Sequence, residues 1–530
     1  MAGVDVVVAR PALSPRAQHR LWSAAVALAA LGLWQLLAVT VFSGHFVVPA
    51  PTSVVAQAFR DDLYLSDLGV TLNLAWKGWL IGNGAALLLA AICLVVPAAE
   101  GGLMTVGVAT YCVPTIAIGP LLVVAYSPDG AKIVMSALSC FFITLVAAVA
   151  GLRAASPATL DAVSAFGGGR WQQLVKVRLR SSIPLLASGL SISAPAAILG
   201  VMIGDYLGGD RGMGVVMLQA QQQLAVERTW AIALVSTLAC GLAFGLTALG
   251  AARLGADVEA PLDGGFTPTR RRHHGPARLG LGVAKVAGAV LFGLLVWEIL
   301  IFFSGLSSYF VKSPGDVWHY LATGPDAGHA RHVVLKALGQ TMVDAGSGWV
   351  AGTVAALLAA AALTLFPAVG SAVMPFVIVL RSVPLIAMCP LIGLVFGRGL
   401  VGVTVIAGVV TFVPSLVTIV DGLRAVPSSA TDVVHCFGGD ARHALGKVRL
   451  PFSAPALFAA AKISMPGAVL GSVLAEWLIT GHGLGYAMAY DVISSNYINL
   501  WASITVILIV SLGLYLVVGA LESAARERIR

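Results

Sequence analysis

The sequence predicts an all-α polytopic membrane protein of about twelve transmembrane helices, laid out as a tandem duplication of a six-helix unit. Three observations predict it. The 530 residues are 58% hydrophobic and only 11% charged, against roughly a quarter charged in soluble domains, and the mean hydropathy is +0.92. Apolar runs such as LWSAAVALAALGLWQLLAVTVF (21–42) and SITVILIVSLGLYLVVGAL (503–521) recur along the chain, and about 20 such residues cross a bilayer core. Two basic stretches, DAVSAFGGGRWQQLVKVRLRSSIP (161–184) and DVVHCFGGDARHALGKVRLPFSAP (432–455), lie 271 residues apart and share D-x-V-x-x-F-G-G, then K-V-R-L, then a proline. A match of that length at that spacing marks an internal repeat.

In chain order, the first half places spans near 22–43, 70–96, 103–126, 131–150, 185–204 and 228–250. The second half places them near 281–304, 340–366, 369–395, 400–420, 456–476 and 500–521. No cleaved export signal is expected, because the first apolar run is long enough to span and no small-residue cleavage site follows it.

Lysine and arginine placement orients the chain. With the N-terminus inside, the cytoplasmic face receives Arg10, Arg16 and Arg20, the basic residues of both repeated stretches, and Arg526, Arg528 and Arg530. It also receives segment 253–280, which is basic and rich in Gly and Pro and reads as a linker between domains 1–252 and 281–530. The outer face carries fewer cations, among them Arg60, Lys132, Arg211 and Lys312. The net charge of +8 is thus a matter of topology. The RRRHH cluster of the linker needs no nucleic-acid partner to explain it.

The repeat extends well beyond the basic stretches. Thr71 pairs with Thr341, Gly78 with Gly348, Pro114 with Pro384, Pro120 with Pro390 and Phe142 with Phe412. After a one-residue slip, DYLGGDRGMG (205–214) lies over EWLITGHGLG (476–485), and Trp230 over Trp501. An even number of spans per half gives both halves the same orientation, related by an axis along the membrane normal.

Each basic stretch falls in a cytoplasmic loop between the fourth and fifth spans of its half. Ser156-Pro157 reads as an N-cap with proline at the first helical position. A short helix follows and ends at Gly167-Gly168-Gly169, where glycine tolerates a left-handed turn. RWQQLVKVRL then reads as a second short helix. In the second copy Leu450-Pro451 fixes the return to the membrane, where the first copy has Arg180. That difference predicts a more firmly held second loop.

The arrangement resembles the E-A-A loop of ABC importer permeases: E-A-A, three residues, Gly, nine residues, I-x-L-P. Asp161-Ala162-Val163 precedes Gly167, and Val177-Arg178-Leu179-Arg180 follows; Asp432-Val433-Val434, Gly438 and Val448-Arg449-Leu450-Pro451 repeat the pattern. Both copies have Asp for Glu, and the first has Arg180 for the terminal proline. FVVPAPTSVVAQAF (46–59), FVKSPGDVWHYL (310–321), LRSVPLIAMCPLIGLVFG (380–397) and AEWLITGHGLGYAM (475–488) resemble segments of the nitrate/sulfonate/taurine-type permeases.

The resemblance implies two type I ABC importer permease domains fused in one chain of a bacterial plasma membrane, with both termini cytoplasmic. It implies two separate ABC ATPase subunits that carry ATP and Mg, and an extracytoplasmic solute-binding protein that delivers a small, anionic solute. The ATPase-coupling residues it designates are Asp161, Ala162, Phe166, Gly167, Gly168, Val177 and Leu179, with Asp432, Val433, Phe437, Gly438, Gly439, Val448, Leu450 and Pro451.

Other chemistry is sparse. No G-x-x-x-x-G-K-[ST] phosphate loop occurs, so no enzymatic ATP site and no cofactor are expected on this chain. The six cysteines are scattered without C-x-x-C pairs, and the histidines have no ligand spacing. Lys77, Glu298 and Asp344 fall near outer span ends and Lys462 near an inner end. Arg381 falls mid-span, one turn before Pro384, and its counterpart is Tyr111. Intramembrane charge marks function by default, so the expected substrate pathway comprises Arg381, Tyr111, Pro114, Pro384, Asp205 and Glu476. The competing class is an ion-coupled secondary transporter, for which no acidic pair stands out at mid-membrane.

Overall fold

A computed structural model describes residues 15–40, 48–60, 63–96, 100–253, 305–367 and 384–529, together with scattered positions between 291 and 302 and between 369 and 377. The described residues are helices and connecting turns, with no strand among them. In the first half these are α1 (Pro15–Thr40), α2 (Pro51–Ala58), α3 (Leu63–Val95), α4 (Glu100–Cys112), α5 (Thr115–Ala125), α6 (Pro128–Arg153), α7 (Pro157–Ala165), α8 (Leu179–Gly208), α9 (Met213–Gln222) and α10 (Val226–Arg253). The second half continues with α11 (Pro314–Trp318), α12 (Ala327–Leu365), α13 (Leu385–Phe396), α14 (Leu400–Arg424), α15 (Ser428–Cys436), α16 (Ala454–Leu478), α17 (Gly483–Ile493) and α18 (Tyr497–Ile529).

Among the described residues, eight helices are long and apolar enough to cross a bilayer: α3, α6, α8, α10, α12, α14, α16 and α18. The pair α4 and α5, bent by 93° at the break between them, makes a ninth if it is one span. It covers the span predicted over 103–126, now divided in two. Pro114 has no amide hydrogen to donate and disfavours helical geometry in Val113, so Pro114 sits extended (φ −65°, ψ 103°) and α5 starts afresh. Pro384 takes the same conformation (φ −68°, ψ 96°) at the start of α13. The predicted span 281–304 and the first part of 369–395 fall largely outside the described residues, as does the linker.

The repeat recurs in the packing. Trp79 Nε1 of α3 donates to Ser193 Oγ of α8 at 3.0 Å, and Trp349 Nε1 of α12 donates to Ser464 Oγ of α16 at 3.2 Å. Trp34 packs on Trp230 with ring centroids 5.4 Å apart, as Trp297 does on Trp501 at 5.3 Å. An aromatic pair thus docks the first apolar segment of each half onto the last.

The halves also exchange elements. Ile116, Ala117 and Leu121 of α5 are buried in one cluster with Val469, Val473 and Leu484 of the second half. Met388 of α13 packs against the first-half cluster that contains Val201 and Met202. α5 and α13, which start after Pro114 and Pro384, therefore seal the seam between the halves by close van der Waals packing, since lipid tails are as apolar as the side chains they meet.

Candidate functional site

The two repeated loops have one geometry. In the first, α7 begins with Pro157 at its first position, and Ser156 is extended but makes no side-chain capping bond. The helix ends where Gly167 takes φ +78°, its N–H bonding Ser164 O at 2.9 Å while Gly168 N bonds Val163 O at 2.8 Å. In the second, α15 ends where Gly438 takes φ +75°, with Gly438 N on His435 O at 3.0 Å and Gly439 N on Val434 O at 2.9 Å. These bonds satisfy carbonyls that the helix end would otherwise leave open, and only glycine reaches that φ without strain.

The turn thrusts one aromatic side chain outward in each copy. Phe166 is 92% exposed and Phe437 88%. Asp161, Ala162, Gly167 and Leu179 are exposed with it, and Gly168 is half-buried, whereas Val177 is buried against the protein. Asp432, Val433, Gly438 and Pro451 are exposed, and Gly439, Val448 and Leu450 are half-buried.

Beyond the turn the copies partly diverge. Leu174–Arg178 and Leu445–Arg449 both form a widened π-helical turn. In the first copy that turn runs straight on into α8, so the helical stretch Arg170–Gly208 is continuous and much longer than the span predicted over 185–204. In the second copy the π-helical turn runs on through Leu450–Phe452, which contains Pro451, and a turn at Ser453 separates it from α16. The second copy also has a cap the first lacks: Asp440 Oδ1 accepts from His443 N at 2.9 Å and lies 2.7 Å from His443 Nδ1. The His443 amide and imidazole hold the Asp440 carboxyl below its ordinary range. Gly169 stands at the corresponding place.

At the other end of each half, a buried acid organises a turn. Asp205 Oδ2 accepts from Gly214 N at 3.1 Å, and Met213 N donates to Thr71 Oγ1 at 2.9 Å. Glu476 Oε2 accepts from Gly485 N at 2.8 Å, and Leu484 N donates to Thr341 Oγ1 at 2.8 Å. Gly212 (φ +127°) and Gly483 (φ +89°) lie against the two carboxyl groups, with no room for a Cβ. Asp205 and Glu476, expected on the substrate pathway, thus occupy corresponding structural positions in the interior of each half.

The charges around them differ. Lys132 Nζ lies 2.8 Å from Asp205 Oδ1 and also donates to Arg211 O at 2.9 Å. Lys132 is buried, not exposed to solvent. Among the described residues Glu476 has no such partner: Gly402 stands where Lys132 does in the first half. Instead the Asp344 carboxyl abuts that of Glu476, both side chains being fully buried. Asp344 Oδ1 accepts from Gln340 Nε2 at 3.1 Å, and His482 Nδ1 is 3.9 Å from Asp344 Oδ2. Asp344 is therefore not a solvated span end, and an acidic pair does exist. It escaped the sequence reading because 132 residues separate its members.

Of the remaining pathway candidates, Tyr111 stacks on Phe142 at 4.8 Å. Pro114 is the break between α4 and α5, Pro384 precedes α13 in the same extended conformation, and Arg381 lies outside the described residues. No cluster of three or more metal-binding side chains occurs among the described residues. Lys132 was the functional neighbour that sequence reasoning missed. No repeat signal marks it, whereas Thr71 and Thr341 were already paired by their spacing.

Comparison with known proteins follows the same duplication. The model of the binding-protein-dependent transport system inner membrane component matches twice, over residues 82–255 and 352–530. A probable ABC transporter permease protein of Haemophilus influenzae is 32% identical over 207 residues, which is 39% of this chain and 84% of the relative. The riboflavin transport system permease protein RibX of Chloroflexus aurantiacus is 25% identical over 244 residues, 43% of this chain and 84% of its own. The putative aliphatic sulfonates transport permease protein SsuC of Bacillus subtilis is 25% identical over 207 residues, 38% of this chain and 74% of its own. No solved structure matches.

Proposed function

The chain belongs to the family of binding-protein-dependent transport system inner membrane components, and we propose that one copy supplies both halves of the translocation pathway of an ATP-driven importer. Two separate ATPase subunits bind at the loops 157–180 and 428–451, one at each. The observation that carries this reading is the matched pair of exposed knobs: Phe166 and Phe437 stand beside glycine turns of the same φ and the same hydrogen bonding. An exposed aromatic on a short, rigid helix end is suited to fill a pocket on a partner, and two such knobs suit two partners. The chain itself has no phosphate loop, so ATP and Mg bind on those partners.

The pathway runs along the seam that α5 and α13 close. Because each follows a proline break, a push on the loops can be turned into a rotation there without melting a helix. An extracytoplasmic binding protein delivers the solute at the end that carries the Asp205 and Glu476 turns, with both termini and the loops facing the cytoplasm. The solute is small and anionic. Supporting that class is the aliphatic sulfonate named for one relative, while the riboflavin named for another keeps vitamin-like compounds in the comparison set.

An ion-coupled transporter would use the buried Asp344–Glu476 contact. Against it, Glu476 Oε2 is already bonded to both Thr341 Oγ1 and Gly485 N at 2.8 Å. The test is uptake into proteoliposomes containing this chain, its ATPase and its binding protein. Uptake that needs internal ATP and persists with an ionophore supports the importer; uptake abolished by ionophore and indifferent to ATP overturns it.

A further inference from the structure

A cavity of about 650 Å³ opens beside the first loop, between the ends of α3 and α6 and the segment 170–178. Its inner wall is apolar, formed by Leu94, Val149 and Leu152. Its rim holds Arg170 and Arg178 with Trp171, and Arg153 also lines it at the end of α6. The three arginines come from separate elements: the last turn of α6, the helical turn after Gly169, and the π-helical turn. The adjoining face of α3 exposes Leu88, Ile92 and Val95, so the apolar wall is continuous with a surface that meets acyl chains.

We propose that this cavity binds the headgroup of an anionic phospholipid from the cytoplasmic leaflet, with Arg170 and Arg178 on the phosphate and the upper acyl chain along Leu94, Val149 and Leu152. The chemistry fits on both sides. Guanidinium groups bind phosphate oxygens by bidentate, charge-assisted hydrogen bonds. A basic pocket between membrane helices on the cytoplasmic side is matched to an acidic headgroup, and an indole at the rim sits where headgroups meet the hydrocarbon. A free phosphate would satisfy the rim and leave the apolar wall unused. The bound lipid tethers the first loop to the ends of α3 and α6, so that a displacement of the loop is passed to those spans. The inner-leaflet source rests on the cytoplasmic placement of the loops proposed above.

The test uses the purified full chain in detergent, equilibrated with equal phosphatidylglycerol and phosphatidylcholine, with retained lipid counted by native mass spectrometry. Wild type retains phosphatidylglycerol in preference. Arg170→Gln/Arg178→Gln lowers that preference about thirtyfold, the equivalent of ~1 kcal/mol per arginine, and Arg170→Lys/Arg178→Lys keeps most of it. Arg442→Gln/Arg449→Gln, in the second loop, leaves it unchanged. Equal retention of the two lipids by wild type overturns the proposal, as do an equal loss in the second-loop variant and displacement of the lipid by millimolar inorganic phosphate. Placement is read separately, by labelling exposed Cys436 with an impermeant maleimide in oriented vesicles. Labelling from outside overturns the cytoplasmic loops and the leaflet, whatever the lipid count.

Discussion

Lys132 Nζ stands 2.8 Å from Asp205 Oδ1, with the Lys132 side chain 2% exposed and that of Asp205 fully buried. The second half puts no lysine at the corresponding place. The two halves thus hold equivalent turns by unlike means, a Lys–Asp pair in one and a Glu–Asp contact in the other.

Removing the lysine should therefore be costly. Lys132→Met leaves the Asp205 carboxylate buried without its cation, a loss of about 3–5 kcal/mol. Thermal unfolding of the purified chain checks it. Adding Asp205→Asn should recover part of that loss, since the stranded charge is gone and the two changes act on one contact.

Threonine should matter in both halves, and more in the second. Thr71→Val strands Met213 N and Thr341→Val strands Leu484 N, each a buried donor whose loss of partner costs about 1–3 kcal/mol. Thr341→Val also removes the hydroxyl that donates to Glu476 Oε2 at 2.8 Å, so its drop in melting temperature should be the larger. No drop in either variant would remove the threonines as supports of the two turns.

At the loops, Gly167→Val and Gly438→Val each place a β-branched residue at a positive φ, a strain of roughly 1–2 kcal/mol or more. Both should reduce the amount of ATPase subunit retained on the chain, to similar extents and without lowering the chain's own yield. The Leu450-Pro451 difference had suggested a firmer second loop. The turns themselves are alike, because the hydrogen bonds that close them lie upstream of Arg180 and Pro451.

Asp491 supplies a pH signature. Its Oδ2 accepts from Asn499 Nδ2 at 2.7 Å, yet burial in the short helix α17 pushes the carboxyl up to about 6. A carboxyl raised on folding favours the folded state below its unfolded value near 3.8, and that contribution is lost as pH rises through about 6. Asp491→Asn should accordingly raise the melting temperature relative to wild type above pH 6 and lose that advantage below pH 4. A constant offset across that range would remove Asp491 as the source.

Much of this was legible in the chain because the repeat is local and the spans are long. Apolar runs, the 270-residue spacing of Thr71 with Thr341, and the glycine turns at Gly167 and Gly438 all follow from neighbouring residues and elementary helix chemistry. What was not legible depends on distant contacts. Lys132 reads as an outer-face cation at the start of a span until α8 brings Asp205 to it, and Asp344 reads as a solvated span end until α16 brings Glu476. The 93° bend at Pro114 is intermediate. The proline is plain in the sequence, but a proline within an apolar run allows either a kinked span or a full break, and packing of α5 into the other half selects the break.

The central claim is that this single chain stands in for a pair of permease subunits, and native mass spectrometry of the complex purified with its ATPase tests it most directly. A fused pair gives one 54.4 kDa chain with two ATPase subunits, whereas two copies of the chain in one complex would contradict it.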